Sequence, residues 1–216
     1  MIKKIKASKS EKILFLFLIS ISIFTFISFF LLKNKCLFVE KNNLSKLKFD
    51  KPNNIAVMNV ECGNVIIELY PDISPKSVER FKILIEEKMY DGSAFYKVAE
   101  NTFVQAGDIE YGNINNLDYS KIGSGESGLG LLKSELSDDF VFTKGSVGFA
   151  RASEFDTEDS EFFITLKEIP IYQGEYTPIG KVIYGMDILT KIKTGNKAIY
   201  VLRPDYINTF RMLNSN

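Results

Sequence analysis

A cation, an aromatic ring and an amide lie close together in Tyr90–Asp108, YDGSAFYKVAENTFVQAGD: Lys97, Phe103 and Gln105. The stretch reads as a short strand around Phe95 and Val98, then a second run ending in Ala-Gly-Asp. By residue type alone, Lys97 is an outward-facing strand residue, Gln105 a turn cap, and Phe103, like Phe163, a core aromatic. The rest of the chain narrows the chemistry these groups can serve. It contains no histidine, which removes Ser-His-Asp and Cys-His nucleophilic catalysis in their usual forms. It also removes imidazole-based zinc sites, and two cysteines cannot close a four-cysteine site. There is neither a GxGxxG fingerprint nor a GxxxxGK[ST] loop. Gly123-Ser124-Gly125-Glu126-Ser127-Gly128 imitates a phosphate loop but lacks the lysine and the strand–helix setting. The acidic run Glu154–Asp159 lacks EF-hand spacing and reads as a solvated loop. No metal or cofactor is expected. What survives is chemistry that needs neither proton transfer nor a metal.

These groups need a mostly β scaffold. Ile55–Val60 and Asn64–Tyr70 are apolar, β-branched runs around Glu61-Cys62-Gly63, a hairpin pattern. Ser74-Pro75 predicts a helix start, with Val78, Phe81, Leu84 and Ile85 at helical spacing and an end near Lys88. Strands are expected at 95–98, 102–106, 146–150, 161–166, 178–183 and 198–202. Gly185–Leu189 opens a second short helix. Residues 109–127, rich in Gly, Asn and Ser, read as a long loop of the kind that is functional or mobile. Many short strands with two helices suggest a barrel or sandwich.

Residues 13–32 carry no charge, Pro or Gly, and twenty such residues span about 30 Å, the thickness of a hydrocarbon core. Residues 1–12 are a basic flank, and Leu32-Lys33-Asn34-Lys35 offers no small-residue cleavage site, so the segment reads as an uncleaved single-pass anchor rather than a cleaved signal. Residues 1–51 carry a net charge of +8 and residues 52–216 a net charge of −8. An acidic main domain argues against nucleic acid as a partner. Residues 33–54 read as a linker, and the domain spans 55–212. Lysines flank both ends of the anchor, Lys3, Lys4, Lys6, Lys9 and Lys12 before it and Lys33, Lys35, Lys41, Lys46 and Lys48 after it. The compact basic N-terminus favours the domain outside the cytoplasm, with the reverse topology as the alternative. Cys36 and Cys62 form no framework; two unpaired thiols are expected, with a disulfide the alternative in an oxidising space.

Four motifs in order resemble the cyclophilin-type peptidyl-prolyl cis–trans isomerases. They are Gly63–Pro71 with Ser74-Pro75 and Val78–Phe81; Tyr90–Asp108 through Phe95, Phe103, Gln105, Gly107 and Asp108; Val147–Ala152 with Asp159–Ile164; and Ile179–Met186. The resemblance covers about 55–212. It implies a mainly β fold: a closed eight-stranded antiparallel barrel capped by two helices, with a proline pocket on its outer face. It also implies rotation about X–Pro bonds, whose barrier of about 18–20 kcal/mol comes from amide resonance. A catalyst of that rotation need only favour the twisted amide.

Carried over, Lys97 takes the catalytic cation's place and Gln105 that of the amide that orients the substrate backbone. Phe103 and Phe163 floor the proline pocket. Ala150 and Arg151 pair with the peptide through main-chain groups. The chain departs from the pattern in several places. The cation is Lys97 where the family has arginine. Tyr96 stands for a histidine, Thr102 for a pocket aromatic and Glu161 for the pocket glutamine. Ile171 and Tyr176 fall where many members have tryptophan and histidine. The resemblance therefore implies proline-containing polypeptides as partners, weak or no cyclosporin binding, and either a slow isomerase or a proline-peptide binder that has lost turnover.

Overall fold

The computed structural model describes residues 8–33, 35–40, 44–195 and 200–214. Two units can be distinguished, one up to Phe38 and the other from Val39 onward.

The second unit starts from the hairpin. β1 (Ile55–Val60) and β2 (Gly63–Leu69) pair antiparallel, and Val60 opposite Gly63 leaves Glu61-Cys62 as the loop. The helix after it, α2 (Pro75–Glu86), buries Val78, Phe81, Leu84 and Ile85, the spacing expected of one helical face. The Phe81 ring meets Tyr90, Phe149, Phe162 and Phe210 at centroid distances of 5.3, 5.8, 5.2 and 5.6 Å. Burying one such ring contributes about 1.5–3 kcal/mol. The helix start differs from the expectation. The Ser74 side chain does not cap it; its hydroxyl donates to the Pro178 carbonyl at 2.5 Å. The Glu135 carboxylate accepts the free N–H groups of Lys76 and Ser77 instead, at 3.3 and 2.8 Å.

The remaining elements are β3 (Lys97–Ala99), β4 (Phe103–Ala106), β5 (Gly112–Asn113), β6 (Asn116–Leu117), β7 (Ser146–Phe149), β8 (Phe162–Thr165), β9 (Pro178–Tyr184), α3 (Met186–Leu189) and β10 (Thr209–Met212). Eight strands form one antiparallel sheet in the order β10-β1-β2-β9-β7-β8-β4-β3, while β5 and β6 form a small hairpin inside the loop expected at 109–127.

The sheet is an open half-barrel, which corrects the expected closed barrel: β10 and β3 remain its edges. The strand expected at 198–202 was to help close it. Residues 196–199 lie outside the described residues, and beyond them Tyr200 bridges to Lys97 and Tyr206 to Ala94 as isolated bridges rather than a strand. Between these bridges Arg203 takes φ +60°, and the following Pro204 has no N–H, so a continuous ladder cannot run through. The last strand lies further on, at Thr209–Met212, where none was expected.

In the first unit, α1 (Lys9–Lys33) is long and apolar enough to cross a membrane. Its start is a capping box: the Ser8 hydroxyl accepts the Glu11 N–H at 3.2 Å, and the Glu11 carboxylate accepts the Ser8 N–H at 2.6 Å. Within the apolar run, the Ser20 and Thr25 hydroxyls donate back to the carbonyls of Phe17 and Ser22, so neither is left unsatisfied. Cys36 and Cys62 are each disulfide-bonded, which corrects the expectation of two free thiols.

Candidate active site

Sheet register builds the site. Lys97 pairs with Gln105, Gln105 with Phe163, and Phe163 with Gly148, a row across β3, β4, β8 and β7. Directly paired residues share a face. The neighbouring row, Val98, Val104, Ile164 and Val147, packs into the core with no residue more than 2% exposed. The first row therefore lies on the other face of the sheet, and Phe103, two residues before Gln105, lies on it too.

At the Lys97 end the row is polar. Gln105 Nε2 donates to Tyr96 Oη at 2.8 Å and to Glu161 Oε2 at 2.7 Å. The Tyr96 hydroxyl donates to the same Glu161 oxygen in a short hydrogen bond. Burial pushes the Glu161 carboxyl above its ordinary pKa, against the hydrogen bonds from Tyr96 and Gln105; the Asp108 charge adds to the rise and the Lys97 charge opposes it. Burial, then the Glu161 charge, pushes the Tyr96 phenol well above its usual range. The Lys97 ammonium has no hydrogen-bond or ion-pair partner among the described residues.

Beside these groups lies a cavity of about 340 Å³, lined by Tyr96, Lys97, Gln105 and Glu161 on one side, Ile122–Glu126 on another and Ala150–Ala152 on a third. Two buried carboxylates hold its loop wall by main-chain groups. Asp108 accepts the N–H of Tyr111, Gly123 and Gly125 at 2.8, 2.6 and 3.3 Å. Asp159 accepts the Ser127 N–H at 2.5 Å and the Ser127 hydroxyl in a short bond. It also pairs with Arg80 of α2 at 2.8 Å, and the same guanidinium donates to the carbonyls of Leu129 and Gly130. The phosphate-loop imitation is thus a cavity wall. The acidic run Glu154–Asp159 is only half solvated, because Glu158 and Asp159 are buried; Glu158 accepts from the Ser134 and Thr177 hydroxyls at 2.9 and 2.8 Å. Polar partners distant in sequence make that burial tolerable.

At the Phe163 end the row is aromatic. Phe163 is 3% exposed and meets Phe142, Tyr172 and Tyr176 at 5.6, 5.3 and 5.2 Å. Tyr172 and Tyr176 lie 4.7 Å apart, and Phe103 and Phe140 pack against the same group. Gly148 makes room for it: a Cβ there would stand 2.6 Å from Phe163 Cζ and 2.9 Å from Phe142 Cε1.

Ala150 and Arg151 join the two ends. Ala150 belongs to the aromatic cluster and also lines the cavity. The Arg151 guanidinium lies over Phe155 at 4.2 Å and Tyr176 at 5.0 Å. It donates to the carbonyls of Ala152, Ser153 and Glu175 and to the Glu175 carboxylate. Its donors are spent on the fold, which leaves Lys97 as the cation open to the groove.

Eight of the nine residues expected at a site thus meet along one face: Lys97, Gln105 and Glu161 at the polar end, Phe103, Phe163 and Tyr176 at the aromatic end, and Ala150 and Arg151 between. The ninth, Ile171, is 79% exposed and stands outside the aromatic cluster. Sequence reasoning missed Tyr172, Phe142 and Gly148. Tyr172 carries a usable signal, since it ends the turn Pro170–Tyr172 and stands four positions before Tyr176. Gly148 lies inside a motif already singled out, but only the approach of two rings reveals its purpose.

A family model described as "Cyclophilin type peptidyl-prolyl cis-trans isomerase/CLD" matches residues 55–211. A probable peptidyl-prolyl cis-trans isomerase of Brucella suis biovar 1 is 38% identical over 148 residues, 68% of this chain and 75% of that protein. A peptidyl-prolyl cis-trans isomerase of Acinetobacter baylyi is 30% identical over 145 residues, 65% of this chain and 72% of that protein. Among solved structures, a cyclophilin-type peptidyl-prolyl cis-trans isomerase of Cryptosporidium parvum, crystallised in the presence of the dipeptide Ala-Pro, is similar with a TM-score of 0.64 and 25% identity, covering 75% of this chain and 99% of that one.

Proposed function

Because the chain belongs to the family of cyclophilin-type peptidyl-prolyl cis–trans isomerases, we propose that it is a membrane-anchored isomerase that turns over X–Pro bonds slowly and assists the folding of exported or membrane proteins. The observation that carries this reading is the register row Lys97–Gln105–Phe163, which sets a cation and an amide beside an aromatic surface. The aromatic end grips the proline ring. Gln105 holds the peptide backbone, and Lys97 hydrogen-bonds to it where the twisting amide concentrates charge. Stabilising that state more than the planar amide is all the catalysis requires.

Slowness follows from two features. Lys97 is a point charge on a flexible stem and lacks arginine's planar fork. Tyr172 and Tyr176 already pack against Phe163, so a proline ring must displace part of that contact before it binds. Cyclosporin-like ligands are expected to bind weakly, since Ile171 stands where many relatives carry tryptophan. The domain begins near residue 55 and is tethered through residues 13–32. Its extracytoplasmic placement is supported by the disulfide-bonded state of Cys36 and Cys62, which fits an oxidising compartment.

The test is an isomerisation assay on the detergent-solubilised chain with an Ala-Pro tetrapeptide. Lys97→Ala should lower kcat/KM by at least about tenfold, ~1.4 kcal/mol of transition-state stabilisation, and Lys97→Arg should raise it above wild type. Wild-type activity no higher than that of Lys97→Ala would leave a peptide-binding module that does not catalyse. Protease protection on intact vesicles reports the side of the membrane; digestion of the domain only after lysis from the cytoplasmic face would reverse the orientation.

A further inference from the structure

The sequence places Glu161 among the substrate-pocket residues, but its contacts run elsewhere. Both donors that reach Glu161 Oε2 come from its own site, Tyr96 Oη and Gln105 Nε2. Gln105 Nε2 also donates to Tyr96 Oη, so the three groups close a triangle. We propose that ionised Glu161 is a positioning residue for Gln105: it fixes which end of the amide faces the groove, and proton uptake by Glu161 releases that choice, making peptide recognition pH-sensitive. This rests on the isomerase reading of the site and adds a form of regulation to it.

The argument is one of donors and acceptors. An ionised carboxylate only accepts. It therefore demands the NH₂ end of Gln105, leaving Oε1 as the end free to accept from a substrate N–H. A protonated carboxyl can donate. It can then satisfy Tyr96 Oη or Gln105 Oε1, and the amide loses its single preferred orientation. A glutamine at this position would present both kinds of group at every pH, so the selection is particular to the carboxylate.

The surroundings place the titration. Burial makes ionisation of Glu161 harder, so its proton is released at higher pH than from an ordinary carboxyl. The charged and titratable groups facing it are Tyr96 and Lys97 before and on β3, and Asp108 after β4; of these Lys97 favours ionisation and Asp108 opposes it. Glu126, Arg151 and Tyr200 line the same cavity, and the Glu161 charge also reaches the buried Tyr90 phenol. Asp159, two residues before it, is taken by Arg80 and Ser127. Arg151 is held by Glu175. Lys97 is therefore the cation with freedom to answer the change.

The experiment follows the Gln105 side-chain amide by ¹⁵N NMR across a pH series in the solubilised full chain, together with kcat/KM for the Ala-Pro tetrapeptide. In wild type the two amide proton signals should shift together through one inflection above the ordinary carboxylate range. kcat/KM should fall at least threefold as pH drops through that inflection. Glu161→Gln should abolish both dependences, while Tyr96→Phe should keep the inflection and move it. Gln105 signals that stay fixed with pH, or a Glu161→Gln profile that parallels wild type, would overturn the inference. Absence of isomerisation at every pH would instead sink the isomerase reading. In that case binding of the same tetrapeptide serves as the second readout: pH dependence of its affinity supports the positioning role, and a flat affinity overturns it. The NMR titration needs no variant, so a misfolded substitution does not blunt the test.

Discussion

The two ends of the groove are built on opposite principles. The polar end is a set of groups that satisfy one another: Gln105, Tyr96 and Glu161 are mutually hydrogen-bonded, and the loop wall beside them hangs from Asp108 and Asp159. The aromatic end has no such directed bonds between its rings. Phe163, Phe142, Tyr172 and Tyr176 are held by contact and by the missing side chain of Gly148. The first end answers to charge and protonation, the second to shape and volume. Two residues lie in both: Ala150, which belongs to the aromatic cluster and lines the cavity, and Arg151, whose guanidinium touches Tyr176 while its side chain lines the cavity.

If this contrast holds, perturbations should separate cleanly. The largest effect is expected at the wall. Arg80 and Asp159 are each only 10% exposed at the side chain, so Arg80→Met leaves a buried carboxylate unpaired and should cost about 3–5 kcal/mol of stability in denaturant unfolding. A cost below 1 kcal/mol would show that the wall does not depend on the pair. Next comes Gly148→Ala, which forces Phe163 and Phe142 apart and should cost about 1–3 kcal/mol. It should weaken Ala-Pro peptide binding while leaving the Gln105 amide signals in place; movement of those signals would mean the two ends are mechanically coupled.

The smallest effect is the pH dependence of stability. Glu161 is harder to ionise in the folded chain than in the unfolded one. Between the unfolded pKa and the raised folded one, the folded state binds more protons, so wild-type stability declines as pH rises through that window. Glu161→Gln removes the decline. Thermal melts of the two proteins should converge in acid and diverge, with the variant higher, as pH rises; a constant gap at all pH values would exclude Glu161 as the source.

The local parts of this fold were legible before the structure. The β1–β2 hairpin and the buried face of α2 follow from periodicities of two and 3.6. So does the neighbourhood of Lys97, Phe103 and Gln105, which share one hairpin. What stayed hidden depends on partners far along the chain. Glu135 replaces Ser74 as the cap of α2 from about sixty residues away. Glu158 and Asp159 look solvated until Thr177, Ser127 and Arg80 arrive to pair with them. The sheet stays open because Arg203-Pro204 interrupts the return path, and β10 pairs with β1 across nearly the whole domain.

The loop wall of the cavity is fastened chiefly by backbone amides, those of Gly123, Gly125 and Ser127. At Gly125 the bond needs the missing side chain, since a Cβ would stand 2.1 Å from Asp108 Oδ1, and Gly123 takes φ +94°; elsewhere along the wall any residue with an N–H can make one. The Ser124 hydroxyl is tied to the Lys121 carbonyl, but Glu126 contributes only its N–H, to Glu110, so that side chain is free to drift without loosening the frame that displays it. The same scaffold could acquire a new taste for the residues flanking proline through a few surface exchanges, its rotation chemistry untouched. Client choice and catalysis would then evolve on separate clocks.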